Sequence, residues 1–229
     1  MMMNGANLRM QAWDMRRWLV ETRRTLHRHP EPGLEERRTA TFIESRLTEM
    51  GVEYTRTGTA IVGILKGRHP GATVAMRADI DALPIHEKTG ADYASATEGM
   101  MHACGHDAHT AILLGVARWF SEQDGSFPGT MKFLFQPAEE TVGGAETMIR
   151  DGCLENPHVD FVTGLHVMPY LPVGLMETRK GALNGSSTML DFTVRGKSCH
   201  AATPEDGLDA VVMAAQLVTA LQAAVARYV

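Results

Sequence analysis

AHTAILLGVARWFS, residues 108–121, sets Ile112, Leu113, Val116 and Phe120 on one face of a helix. It lies between two short β-rich runs, Thr73–Arg77 and Met131–Gln136. Strand, crossover helix and strand form the unit from which α/β folds are built. Similar runs occur at Ala60–Leu65, Phe161–His166 and Leu190–Arg195, separated by Gly, Pro and Asp. Upstream, Asp14–Met50 repeats apolar residues at helical spacing (Trp18, Leu19, Leu26, then Phe42, Ile43, Leu47), broken by His29-Pro30-Glu31-Pro32-Gly33. It reads as two helices around a turn. The alternation predicts an α/β sandwich.

The Gly/Ser/Asn-rich stretch Gly181–Ser187 predicts a domain boundary, with a first domain at 1–184 and a second at 185–229. The second holds one expected strand and one expected helix, Gly207–Val229, which together do not bury a core. It reads as the first part of a larger domain. Gln216, Thr219, Gln222 and Arg227 keep that helix below the ~20 apolar residues of a membrane span. With 44% hydrophobic residues, 21% charged residues and a net charge of -5, the 229-residue chain has the composition of a soluble globular protein with no nucleic-acid partner. MMMNGANLRMQAWDMRRW has neither an apolar h-region nor a cleavage site, so a cytoplasmic location is expected. Three scattered cysteines, Cys104, Cys153 and Cys199, fit a reducing compartment rather than a disulfide framework.

The chemistry concentrates in MHACGHDAH, 101–109, with one thiol and three imidazoles. Cys104 and His106 are spaced so that an extended segment points both to one side, as shared metal ligation requires. Asp107 falls where an N-cap would open the next helix, whose positive end would favour the Cys104 thiolate. A helix cap decorated with surface histidines is the plainer alternative. In FLFQPAEE, 133–140, an apolar strand runs into two adjacent carboxylates; one could bind metal while the other takes a proton from water, or both could be solvated loop residues. His166 ends another apolar strand, as a functional group or as a core histidine. Asp79 and Asp81 project to one face off a strand, able to support a cationic site or simply to form a turn before Pro84.

Read in order, RTLHRHPEPGLEE (24–36), MRADIDALPIHEKTG (76–90), MHACGHDAHTA (101–111), FQPAEE (135–140), GLHVMPYLPVG (164–174) and GKSCHAATPEDGLDA (196–210) resemble the motif series of the M20 metallopeptidase clan. The resemblance is to its amidohydrolase branch of hippurate hydrolases, N-acyl-amino-acid amidohydrolases and auxin-conjugate hydrolases, and it covers nearly the whole chain. It implies an incomplete zinc-peptidase-like α/β/α catalytic domain followed by the first part of an α+β lid. It implies that Cys104, His106, Glu140 and His166 ligate two divalent ions, that Glu139 is the general base and that Asp81 supports the metal site. His200, in the lid motif, would stabilise the oxyanion, often in the partner subunit of a homodimer. His102 and His109 match positions with a supporting or structural role, and Cys153 and Cys199 read as plain thiols.

Relatives of this kind run to nearly twice the length and carry a last histidine ligand beyond the lid. The expectation is therefore a C-terminally truncated chain with weak or no activity, binding one metal well and a second poorly. The substrate implied is a small N-acyl amino acid, and the metals Zn, Mn, Co or Ni. Dipeptidase or aminopeptidase activity, a cysteine hydrolase built on Cys104, and a non-catalytic metal-binding or dimerising module are the alternatives.

Overall fold

The computed structural model describes residues 5–141, 143–183, 185 and 190–228. Along the chain run α1 (Gly5–Asp14), α2 (Arg16–His27), α3 (Arg37–Glu49), β1 (Glu53–Thr57), β2 (Ala60–Lys66), β3 (His69–Asp79), α4 (His106–Ser121), β4 (Pro128–Gln136), α5 (Gly144–Arg150), β5 (Phe161–Gly164) and α6 (Ala210–Tyr228). The sheet order is β1-β2-β4-β3-β5. β1 and β2 form an antiparallel hairpin, β2 joins β4 antiparallel, and β3 lies parallel to both β4 and β5. This mixed sheet with helices is the α/β architecture that the alternation predicts.

β4 shows why the core forms. Met131, Phe133 and Phe135 point to one face, where they meet Ile43 and Leu47 of α3 and Leu113, Leu114 and Ala117 of α4. Leu134 points to the other face, packing with Ala75, Met148 of α5, Cys153 and Val159. A strand covered on both faces reads as a continuous apolar run, as this one does. Lys132 is the exception within it. Its ammonium donates to the carbonyls of Cys153 (3.1 Å) and Glu155 (2.5 Å), tying the segment after α5 to the sheet. Burial pushes its pKa down.

The segment Asp14–Met50 forms two helices around a turn as expected, α2 and α3 with the break at 28–36, and α1 precedes them. α3 is held at its start by Glu31, whose carboxylate accepts from the backbone amides of Arg38 (3.0 Å) and Thr39 (2.7 Å). β1 is not apparent in the sequence at all: Glu-Tyr-Thr-Arg-Thr is polar, and only its pairing with β2 makes it a strand. β5 forms where expected, but Phe161 and Val162 are more than half exposed.

The chain divides into two compact units, Met1–Pro172 and Val173–Val229. The boundary expected at 184/185 involves Asn184, which lies outside the described residues, as does Val229 at the end of the expected last helix. The expected strand Leu190–Arg195 is not found: among the described residues it pairs with no neighbour, and a strand exists only through its ladder. Among its described residues the second unit instead holds a bridge from Lys197 to Leu208, a 3-10 turn at Pro204–Asp206, and α6. Asp209 caps α6, accepting from the amides of Val211 (2.9 Å) and Val212 (3.1 Å). Among the described residues no helix is long and apolar enough to cross a membrane.

Candidate metal centre

Parallel strands end on the same edge of a sheet, and this edge gathers the polar residues. β3 ends at Asp79 and leads to Asp81; β4 leads through Pro137 to Glu139 and Glu140; β5 leads to His166; and α4 begins there with His106. Three overlapping sets of donor atoms result, in each of which the atoms lie within 4.8 Å of one another: Cys104, His106 and His166; His106, Glu139 and Glu140; and Asp79, His106 and His109. The Cys104 sulfur is 3.3 Å from His166 Nε2.

His106 is common to all three sets. Its Nδ1 donates to the carbonyl (2.9 Å) and carboxylate (3.1 Å) of Asp81. That leaves the Nε2 lone pair facing Glu140 Oε1 at 3.8 Å, Asp79 Oδ2 at 3.5 Å and Glu139 Oε2 at 4.0 Å. Neither Nε2 of His106 nor Oε1 of Glu140 has a hydrogen-bond partner, although both are buried. Two acceptors facing each other in a protein interior are costly unless a cation lies between them. Asp81 also accepts from the Glu140 amide (2.9 Å), so one carboxylate orients both His106 and the Glu140 backbone. Burial works against its charge, but these hydrogen bonds outweigh it and hold its pKa low.

The electrostatics point the same way. Burial opposes charge on His106, yet Asp81, Asp79 and Glu140 raise its pKa. Burial, then Glu140, Glu139 and Asp79, push the Cys104 thiol up to about 12. The thiolate that α4 is expected to favour is opposed here, first by burial and then by three nearby carboxylates. Protons and metal ions compete for these atoms, and the donor set of thiol, imidazole and carboxylate suits a borderline divalent metal.

Asp107 is not the N-cap. Gly105 takes that place with φ 89°, and Asp107 lies fully buried in the first turn, accepting from Arg23 (2.9 Å) and His27 (2.8 Å). Glycine is needed there: besides the positive φ, a Cβ on Gly105 would lie 2.4 Å from Val167 Cγ2. Gly105→Ala should therefore cost about 1–3 kcal/mol of stability and weaken metal binding, since Cys104 and His106 flank it. Urea unfolding and a zinc titration check this, and an unchanged unfolding midpoint would show that the contact yields easily.

The remaining residues sort by what they touch. His109 is bonded at both ring nitrogens, to Asp79 (2.6 Å) and to the Val167 amide (2.9 Å). His102 is buried without a partner at either nitrogen, and burial pushes its pKa down to about 4. It lines a cavity of about 340 Å³ shared with Arg23, His27, Glu87 and Cys104. Glu36, which lay unremarked inside the first motif, is fully buried and accepts from Thr59 Oγ1 (2.7 Å) and the Ala138 amide (2.9 Å), anchoring the turn before Glu139. His200 belongs to the second unit, where its Nδ1 accepts from the Ala202 amide (3.1 Å). Cys153 is a buried thiol and Cys199 an exposed one; neither is disulfide-bonded.

The description of peptidase family M20/M25/M40 matches residues 75–229, which include every residue of the three donor sets. The chain belongs to this family. Among M20 relatives, N-acetyl-L-cysteine deacetylase of Bacillus subtilis is 44% identical over 92% of the chain and 51% of its own length. N-acyl-L-amino acid amidohydrolase of Geobacillus stearothermophilus is 42% identical over 92% of the chain and 57% of its own length. The YXEP protein of Bacillus subtilis, described as a dinuclear metal binding peptidase of the M20 family, superposes with a TM-score of 0.65 at 42% identity, over 68% of this chain and 44% of that one. The chain thus spans about half the length of the M20 relatives it matches.

Proposed function

We propose that these residues form the metal centre of an amidohydrolase that cleaves the amide bond of N-acyl amino acids. The observation that carries the reading is the meeting of Cys104, His106, His166, Glu139 and Glu140 from separate segments at one sheet edge. It is supported by membership of M20 and by likeness to relatives named as N-acyl amino acid hydrolases. Cys104, His106, Glu140 and His166 hold the divalent ions, and a thiolate donor favours zinc, cobalt or nickel over magnesium, with manganese also accommodated. Bound, these ions supply Lewis-acid activation of water and of the acyl carbonyl.

The protein's own groups do the rest. Glu139, the more exposed of the two adjacent carboxylates, takes the proton of the attacking water and delivers it to the departing amine nitrogen. Asp81 orients His106 through its Nδ1 and keeps Nε2 available. The cavity beside Cys104 offers room for part of a small substrate. His200 stabilises the oxyanion in the partner subunit of a homodimer formed through the second domain. We place the domain boundary at 184/185. The four ligands by themselves hold one ion firmly and a second weakly.

A cysteine hydrolase built on Cys104 fits the site less well. A nucleophilic thiolate needs an electropositive setting, whereas burial and then the nearby carboxylates raise the pKa of this thiol.

Calorimetric titration with zinc or manganese should give one strong and one weak event, and release of free amine from N-acetyl amino acids should depend on the added metal. Metal-independent hydrolysis blocked by a thiol alkylator would overturn the proposal. The titration should also depend on pH. The Cys104 thiol, with its raised pKa, must lose its proton on binding, so affinity falls as the solution is acidified and a proton is released to buffer. Buffers of different ionisation enthalpy measure that release; none at all would contradict ligation by the thiolate.

A further inference from the structure

We infer that Asp79 and His109 are a positioning pair that sets His166, and that neither is itself a metal ligand. The inference rests on the reading of His166 as a ligand.

The Val167 N–H can only donate, so His109 Nε2, 2.9 Å away, accepts. His109 therefore carries its proton on Nδ1 and donates it to Asp79 Oδ1 at 2.6 Å. The other oxygen of Asp79 accepts from Arg77 Nη1 at 2.7 Å. With both nitrogens of His109 engaged and both oxygens of Asp79 accepting, the set of Asp79, His106 and His109 is not a further cation site, although its atoms are close enough to suggest one.

What the pair holds is Val167. Its amide is fixed by His109, and its side chain rests against Gly105. Its carbonyl accepts from His166 Nδ1 at 2.6 Å. That bond puts the His166 proton on Nδ1 and leaves the Nε2 lone pair toward the Cys104 sulfur, 3.3 Å away. A continuous chain thus runs from Arg77 through Asp79, His109 and Val167 to His166, setting both the place and the tautomer of that ring. His166 itself is exposed and follows β5, whose four residues are exposed; besides this chain of bonds its ring meets those of His109 (centroids 4.6 Å apart) and His106 (6.3 Å).

Asp79→Asn probes the chain without changing its shape. Arg77 can only donate, so the amide oxygen turns to it and the NH2 group turns to His109. His109 must then carry its proton on Nε2, where it opposes the Val167 N–H.

Two measurements on the full chain test this. Nitrogen-15 NMR of the histidine rings needs no metal. His109 should show a protonated Nδ1, and Asp79→Asn should move that proton to Nε2; the opposite tautomer in the unmodified protein would overturn the inference. Cobalt titration followed by absorption reads the metal shell. His109→Ala should keep the thiolate-to-cobalt band while weakening affinity about 10- to 100-fold, with ligand-field bands like those of His166→Ala, and adding His166→Ala should change them no further. His109→Gln, whose amide can face both Asp79 and Val167, should restore part of the loss. Bands unchanged in His109→Ala would overturn the inference, as would a further ligand lost in the double variant relative to His166→Ala. Failure of the unmodified chain to bind cobalt through sulfur would instead bring down the metal reading, and the inference with it, whatever the NMR result.

Discussion

His106→Ala should abolish firm metal binding. This ring contributes to every donor set at the site, and its Nε2 is a buried acceptor facing three carboxylates. A zinc site of ~10–16 kcal/mol shared among four donors loses about 3 kcal/mol or more with one of them, a drop of at least ~100-fold. The same substitution deprives Asp81, which is buried, of a donor, so the metal-free protein should lose about 1–3 kcal/mol of stability. Calorimetry with zinc and urea unfolding of the metal-free chain separate the two effects. Zinc affinity within tenfold of the unmodified protein would remove His106 from the ligand set.

Glu139→Gln should lower kcat for an N-acyl amino acid about 10³-fold while leaving metal content unchanged. Glu139 and Glu140 are neighbours in sequence but not in environment. Glu140 has a buried, unpartnered oxygen and an amide held by Asp81, while the Glu139 side chain is 40% exposed. The amide of Gln keeps the size and loses the base. Glu140→Gln should do the reverse and lose metal first. Metal analysis beside steady-state kinetics distinguishes them, and turnover within tenfold in Glu139→Gln would refute its role as base.

Much of the fold is readable from short stretches because each carries its own physical signal. The apolar face of residues 108–121 and the doubly buried run 131–135 define the crossover from which the sheet grows. The ends of β3, β4 and β5 carry Asp79, Gln136-Pro137 and Gly164, so the polar edge is visible before the fold is known. What escapes a linear reading depends on partners. β1 is polar and becomes a strand only against β2, and residues 190–195 look like a strand but find no partner among the described residues. Asp107 has the spacing of a cap, but the helix is capped at Gly105, where a φ of 89° and the approach of Val167, sixty-two residues on, call for glycine. The Cys104 thiolate is likewise opposed by partners: burial first, then Glu139, Glu140 and Asp79, all of which reach it only through the fold. The link from Asp79 through His109 to Val167 has no sequence signature, since it joins a strand, a helix and a loop.

The most direct test is X-ray absorption at the zinc edge of the zinc-loaded chain. Cys104, His106 and His166 as ligands predict one sulfur at ~2.3 Å together with nitrogen and oxygen at ~2.0–2.2 Å, and Cys104→Ser should remove the sulfur shell alone. A shell of nitrogen and oxygen with no sulfur in the unmodified chain would contradict the account.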